Sequence, residues 1–148
     1  QILRAVGGFF HRHKASNGEG GWWIATEISV QYLNTDRILQ ADLAGWKRDQ
    51  HSQPPDGFPV TVRPDWVCEV CHTTRKKDRE LVPDTLSKAG VPYYWFVDAE
   101  ELFLEVWELQ MDKSWKIIKI LTEKNEEQII QPFITRTLSP KQLLQKDW

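Results

Sequence analysis

The sequence predicts an α/β (α+β) domain built on a mixed β-sheet flanked by helices, with a β-rich C-terminal tail. Three observations carry this. Residues 22–33 alternate with period two, as a half-buried strand does. Residues 78–89 show helical spacing between strand-like segments. Tyr93 to Val97 is a short, nearly all-apolar run, the pattern of a strand covered on both faces. The resulting order, α-β-β-β-α-β followed by more strands, is not a simple βαβ repeat.

Each element has its own reason. Ile2, Leu3, Val6, Phe9 and Phe10 have helical spacing over residues 2–14, weakened by Gly7-Gly8. Ser16 to Gly21 reads as a turn-forming stretch. In residues 22–33, Trp22, Ile24, Ile28, Val30 and Tyr32 share one parity, which leaves Glu27 on the less apolar side. Asn34-Thr35-Asp36 turns the chain into an antiparallel second strand over residues 37–46. Residues 47–61 are polar around Pro54-Pro55-Asp56-Gly57 and predict a long exposed loop. Val62 to Cys71 reads as a third strand. The helix over 78–89 takes Asp78 as its N-cap and Val82, Leu86 and Ala89 as its apolar stripe. Pro83 delays its start, and Gly90 and Pro92 end it. Residues 102–109 and 115–121 read as a strand pair, and 139–146 as a short terminal helix.

Composition bounds the function. The 148 residues are 41% hydrophobic and 27% charged, enough to bury a core in one domain spanning 1–148. The net charge of −2 shows no general balance for polyanions. No apolar run is long enough to span a bilayer, no signal peptide opens the chain, and two cysteines make no disulfide scaffold. The expected protein is reduced and cytoplasmic, without membrane or haem. Gln1 in place of Met suggests that a natural N-terminal segment is missing.

Residues 68–72 read CEVCH, the pattern of c-type haem attachment. The flanking Trp66, Val67 and Val70 favour a strand instead, in which Cys68 and Cys71 point to opposite faces and cannot grip one group. Zinc lacks a second ligand pair nearby. A thiol or haem redox protein is therefore the remote alternative.

The acids are more informative. Strand parity puts Asp65, Val67, Glu69 and Cys71 on one face, and Asp42 interrupts an apolar strand. Carboxylates in such strands need compensation, which a divalent cation provides. Glu27, Asp42 and Glu69 on three consecutive strands can converge on one oxygen-rich site. Alternatively they face solvent or pair with Arg63, Lys47 or Arg48. Arg75, Lys76, Lys77 and Arg79 form the densest basic cluster and suit phosphate contacts, or simply a solvated loop. The eight Trp residues argue for a substantial core. Tyr94, Trp95, Trp107 and Trp115 exceed what a small core easily holds, which suggests a homodimer contact.

Three stretches resemble the Uma-type family of "putative restriction endonucleases", a large bacterial branch of the PD-(D/E)XK nuclease superfamily. Ala41–Arg48 resembles its PDLAGWRR segment, and Arg63–Cys71 its PDWVCEV segment. Gly90–Asp98, continuing into Leu104–Trp107, resembles its GVPxYWxVDPE…LEVY segment. Gly21–Ile24 and Glu27 fit its first strand, so the likeness runs from about Gln1 to Leu109. The resemblance implies a restriction-endonuclease-like core and hydrolysis of DNA phosphodiester bonds. It implies that Asp42, Glu69 and the backbone carbonyl of Val70 hold Mg²⁺ or Mn²⁺, with Glu27 as an auxiliary acid.

The sequence departs from the family at the lysine that normally follows the second acid by two residues, where Cys71 stands. A lysine on the following helix can replace it, but that position falls on Val82. Lys76 or Lys77 could substitute from the adjoining segment. Two outcomes stay open: a metal-dependent endonuclease weakened by this loss, or a degenerate nuclease fold that binds DNA or a partner without cutting.

Overall fold

The structure is a computed structural model, described over residues 21–72 and 76–145, with residues 76–79 described by their backbone alone. Six strands make one sheet in sequential order: β1 (Trp22–Tyr32), β2 (Arg37–Lys47), β3 (Trp66–Cys71), β4 (Tyr93–Asp98), β5 (Phe103–Leu109) and β6 (Trp115–Thr122). Neighbours are antiparallel except β3 and β4, which are parallel and joined by the helix α1 (Lys76–Ala89). That crossover makes the sheet mixed, as expected. A separate ribbon of β7 (Gln128–Ile130) and β8 (Phe133–Leu138), then the short α2 (Pro140–Leu143), completes the described chain.

Two apolar clusters line the two faces of the sheet. On one face, Trp66, Trp95 and Leu104 meet Phe133 and Leu138 of the ribbon and Leu143 of α2. On the other, Trp46, Val67 and Tyr94 meet Leu86 of α1, with Val82 and Ala89 packed alongside. The expected stripe of α1 is therefore its buried one. The aromatic surplus is absorbed inside the chain: Tyr94 and Trp95 are buried, half-buried Trp107 packs edge-on against Tyr94, and half-buried Trp115 packs against it at a tilt. These rings give no reason to invoke a dimer.

Several boundaries differ from the sequence reading. α1 begins at Lys76, so Asp78 lies inside it rather than capping it, and Pro83 sits mid-helix. Side chains from the sheet bond to this stretch of the helix. Trp115 Nε1 donates to the Pro83 carbonyl at 2.9 Å, and Arg37 Nη1 donates to the buried Thr85 hydroxyl at 2.8 Å. β3 starts at Trp66, not Val62, and α2 ends at Leu143 with Ser139 as N-cap. The ribbon β7–β8 falls in the expected β-rich tail, where the sequence pattern delimits no strands beyond residue 121. The loop after β2 is pinned in places: Val60 is buried and bridges β1 through Gln31 N→Val60 O (2.8 Å) and Val60 N→Ser29 O (3.0 Å). The helix expected over 2–14 lies outside the described residues.

The parity expected for β1 breaks in the middle. Trp22 and Ile24 pack on the ribbon side, whereas Ile28, Val30 and Tyr32 pack on the helix side. Opposite them in β2, Leu43 faces the ribbon and Ala41 the helix. Two residues apart in a regular strand share a face, so both strands switch at one level. Glu27, at φ 47°, and Asp42 mark that level.

The glycine of the Ala44-Gly45-Trp46 segment is set by packing. A Cβ on Gly45 would lie 3.0 Å from Trp22 Cε3 and 3.1 Å from Trp66 Cε3. Both rings are themselves buried, so neither can yield easily. Gly45→Ala is expected to destabilise the fold by ~1–3 kcal/mol through overpacking, read as a lower midpoint in urea unfolding.

Candidate active site

The β2–β3 ladder pairs Gly45 with Trp66, Ala44 with Val67 and Leu43 with Cys68, and then stops. β2 continues pairing with β1 as far as Arg37, and β3 continues with β4 through Glu69–Phe96, Val70–Val97 and Cys71–Asp98. The two central strands therefore fork. Asp42 and Glu69 are the first residues beyond the last shared pair. Asp42 bridges the opening: its Oδ2 accepts the N–H of Val70 at 2.7 Å. A carboxylate thus occupies the place of a strand carbonyl, and such charge-assisted bonds are short and strong.

Both carboxylates are felt at one buried sulfur. Burial, then Glu69, then Asp42 raise the Cys68 thiol well above its ordinary value. Burial and Glu69 also push up the phenol of Tyr32 at the end of β1. Asp42 and Glu69 thus lie close enough to the fork to shape its potential. Glu27 is exposed and lies opposite Asp42 in the β1–β2 register, between the pairs Thr26–Leu43 and Ile28–Ala41. Asp65, expected on the face of Glu69, is used structurally: its Oδ2 accepts the N–H of Lys47 at 2.9 Å, with Arg63 at 3.5 Å and His51 at 3.8 Å.

The two cysteines separate as strand geometry requires, Cys68 in the ribbon-side cluster and Cys71 against the helix-side one. Val82 is half-buried against that same cluster. Arg75 lies outside the described residues. Lys76, Lys77 and Arg79 lie in the first turn of α1, where the backbone alone is described. Among the described residues, no three His, Cys, Asp or Glu side chains gather as metal ligands. The donors at the fork are instead two carboxylates and the peptide groups of β3. That set fits a magnesium-like ion, which takes hard oxygens and commonly uses only one or two carboxylates beside substrate phosphate.

Two residues near the fork escaped the sequence reading. Tyr32 follows from strand parity but carried no chemical signal. Glu105 is buried on β5 and shares a cross-strand row with Glu69 through Phe96. An acid between Leu104 and Val106 was the available signal for it.

Two outcomes check this geometry. Asp42→Ala leaves the Val70 N–H without its acceptor and should cost ~1–3 kcal/mol in denaturant unfolding. Asp42→Asn retains a carbonyl acceptor and should lose less. Because its raised pKa keeps Cys68 as thiol, DTNB at mildly alkaline pH should reach Cys68 only after denaturation, and Cys68→Ala should remove that late fraction.

The comparisons agree with this architecture. No curated protein matches the chain. A solved structure described as a putative nuclease belonging to DUF820, from Anabaena variabilis, matches with a TM-score of 0.62 at 16% identity. The match covers 97% of this chain and 73% of that one. At such identity the likeness concerns the fold. Residues 1–140 match the family Uma2, described as "Putative restriction endonuclease", which extends the resemblance beyond Leu109 into the tail. With all but the last few residues matched, the chain belongs to the Uma2 family.

Proposed function

We propose that the chain is a divalent-cation-dependent endonuclease that hydrolyses phosphodiester bonds of DNA at the β2–β3 fork. The observation that carries this reading is the fork itself: two acids, Asp42 and Glu69, beyond the last shared strand pair, with Asp42 tied to the Val70 N–H. Asp42, Glu69 and the Val70 carbonyl would hold Mg²⁺ or Mn²⁺. Such an ion supplies charge neutralisation at the phosphate and acidity for the attacking water.

The chain's own groups prepare the site. The Val70 N–H restrains the Asp42 carboxylate. The β4 ladder holds the backbone of Glu69. Glu27 serves as an auxiliary acid at the same level of the β1–β2 pair. Arg75, Lys76, Lys77 and Arg79, between β3 and the first turn of α1, would meet backbone phosphates. A C₂ dimer would present two such sites to the two strands of a duplex. The cytoplasm supplies both DNA and the reducing conditions suited to two free thiols.

One observation favours a second reading, a family member that binds DNA without efficient cutting. Cys71 occupies the usual lysine position, and Val82, at the alternative position, packs into the helix-side core. Neither can stabilise charge on the phosphate, a loss of ~10²–10³ in rate for one such contact. Lys76 and Lys77 are the remaining candidates.

The test is nicking of supercoiled plasmid with Mg²⁺ or Mn²⁺, with and without chelator. Weak, chelator-sensitive nicking is expected from the parent, more from Val82→Lys, and none from Glu69→Ala. Cleavage that survives Glu69→Ala would remove the metal site from the fork. Strong parental cleavage unaffected by Lys76→Ala and Lys77→Ala would show that no lysine is needed.

A further inference from the structure

A second polar feature lies at the C-terminal end of β2, six residues from Asp42. Arg48 follows β2 directly, and its guanidinium carbon stands 3.7 Å from the centroid of the Trp23 ring. Its Nε donates to the Trp22 carbonyl at 3.3 Å, and its own N–H donates to Gly21 O at 2.9 Å. The ring beneath it is held too, because Trp23 Nε1 donates to His51 O at 3.0 Å. The guanidinium plane is thus restrained by a carbonyl at its inner edge and an indole across its face.

Among the described residues, no carboxylate lies within ion-pair distance of Arg48. Asp65, the buried acid of the following loop, is engaged by Lys47 N, Arg63 and His51. A structural arginine that only stacks and caps would need no further partner. However, this one keeps its two terminal nitrogens in a fixed plane, the fork that matches phosphate oxygens, with its side-chain entropy already lost.

We propose that Arg48, laid on Trp23, is a contact for a nucleic-acid backbone phosphate remote from the acidic fork. This rests on the reading of the chain as a DNA-acting protein. Six residues of extended chain separate Asp42 from Arg48, ~20 Å at about 3.3 Å per residue. That is about six base pairs of a duplex at 3.4 Å per step, so one short helix of DNA spans both points. Trp23 packs on the helix side of the sheet, the side that also receives Tyr32 and Cys71. Trp23 is a positioning residue, and Arg48 makes the contact. Lys47 provides the comparison: it stands 6.0 Å from the ring of Trp22, which belongs to the opposite cluster.

The experiment measures binding of a short labelled duplex by the full chain, with Ca²⁺ in place of Mg²⁺, across a salt series. Arg48→Gln should weaken binding severalfold at low salt and lower the slope of log affinity against log salt by about one. Arg48→Lys keeps the charge without the planar fork and should keep the slope while binding less tightly than the parent. Trp23→Leu should weaken binding when Arg48 is present and add nothing once Arg48 is Gln. In the unaltered chain, the Trp23 indole N–H resonance should shift on saturation with duplex, while that of buried Trp66 stays in place. An unchanged slope in a folded Arg48→Gln chain, an unmoved Trp23 resonance, or an equal loss in Lys47→Gln would overturn the assignment. A parent that binds no duplex would instead overturn the DNA reading on which it stands.

Discussion

A half-buried peptide N–H that leaves its strand partner must find another acceptor, and at Val70 that acceptor is Asp42. Much of the site follows from this bond. β3 turns from a strand shared by two neighbours into one held by β4 alone, because β2 stops offering carbonyls after Leu43. The carboxylate that closes the gap is thereby held at the mouth of the fork, next in register to Glu69. The same level of the β1–β2 ribbon is where both strands exchange faces, with Glu27 in the left-handed region opposite Asp42. An L-residue there is costly, so surrounding pairings must over-determine it.

The fork stands against a dry interior. Cys68 is fully buried beneath it, and its thiol is pushed up by burial and by both carboxylates. Tyr32 and Glu105 bring more buried polar groups to the helix side of the sheet, within a layer otherwise made of Trp46, Tyr94, Phe96 and Leu86. Negative charge gathered at such a boundary attracts cations strongly, because little water screens it. This is the physical basis for proposing that the fork holds a cation.

Clamps elsewhere keep the frame rigid. Arg37 ties the β1–β2 turn to Asp84 and Thr85 of α1, and Asn34 donates to the Lys88 carbonyl at 2.9 Å. Asp65 closes the loop after β2 onto Lys47. Gly45 lets Trp22 and Trp66 approach from the ribbon side. Acids that look alike in the sequence are thereby divided: Asp65 and Asp84 hold the fold, whereas Asp42 and Glu69 border the opening.

The sequence by itself determined the succession of strands along the chain through β6, the apolar stripe of α1 and the divergence of Cys68 from Cys71, since these depend on local periodicity. It also singled out Asp42 and Glu69, because acids in apolar strands are conspicuous wherever the strands lie. It could not show the parity break in β1, which depends on pairing with β2, or the start of α1 at Lys76. The bond from Lys47 N to Asp65 and the restraint of Arg48 by Trp23 were likewise hidden, since each joins residues more than a dozen positions apart. Above all, the fork was decided by tertiary structure alone. Whether two strands stay paired depends on which groups satisfy each peptide N–H, and no local pattern records that choice.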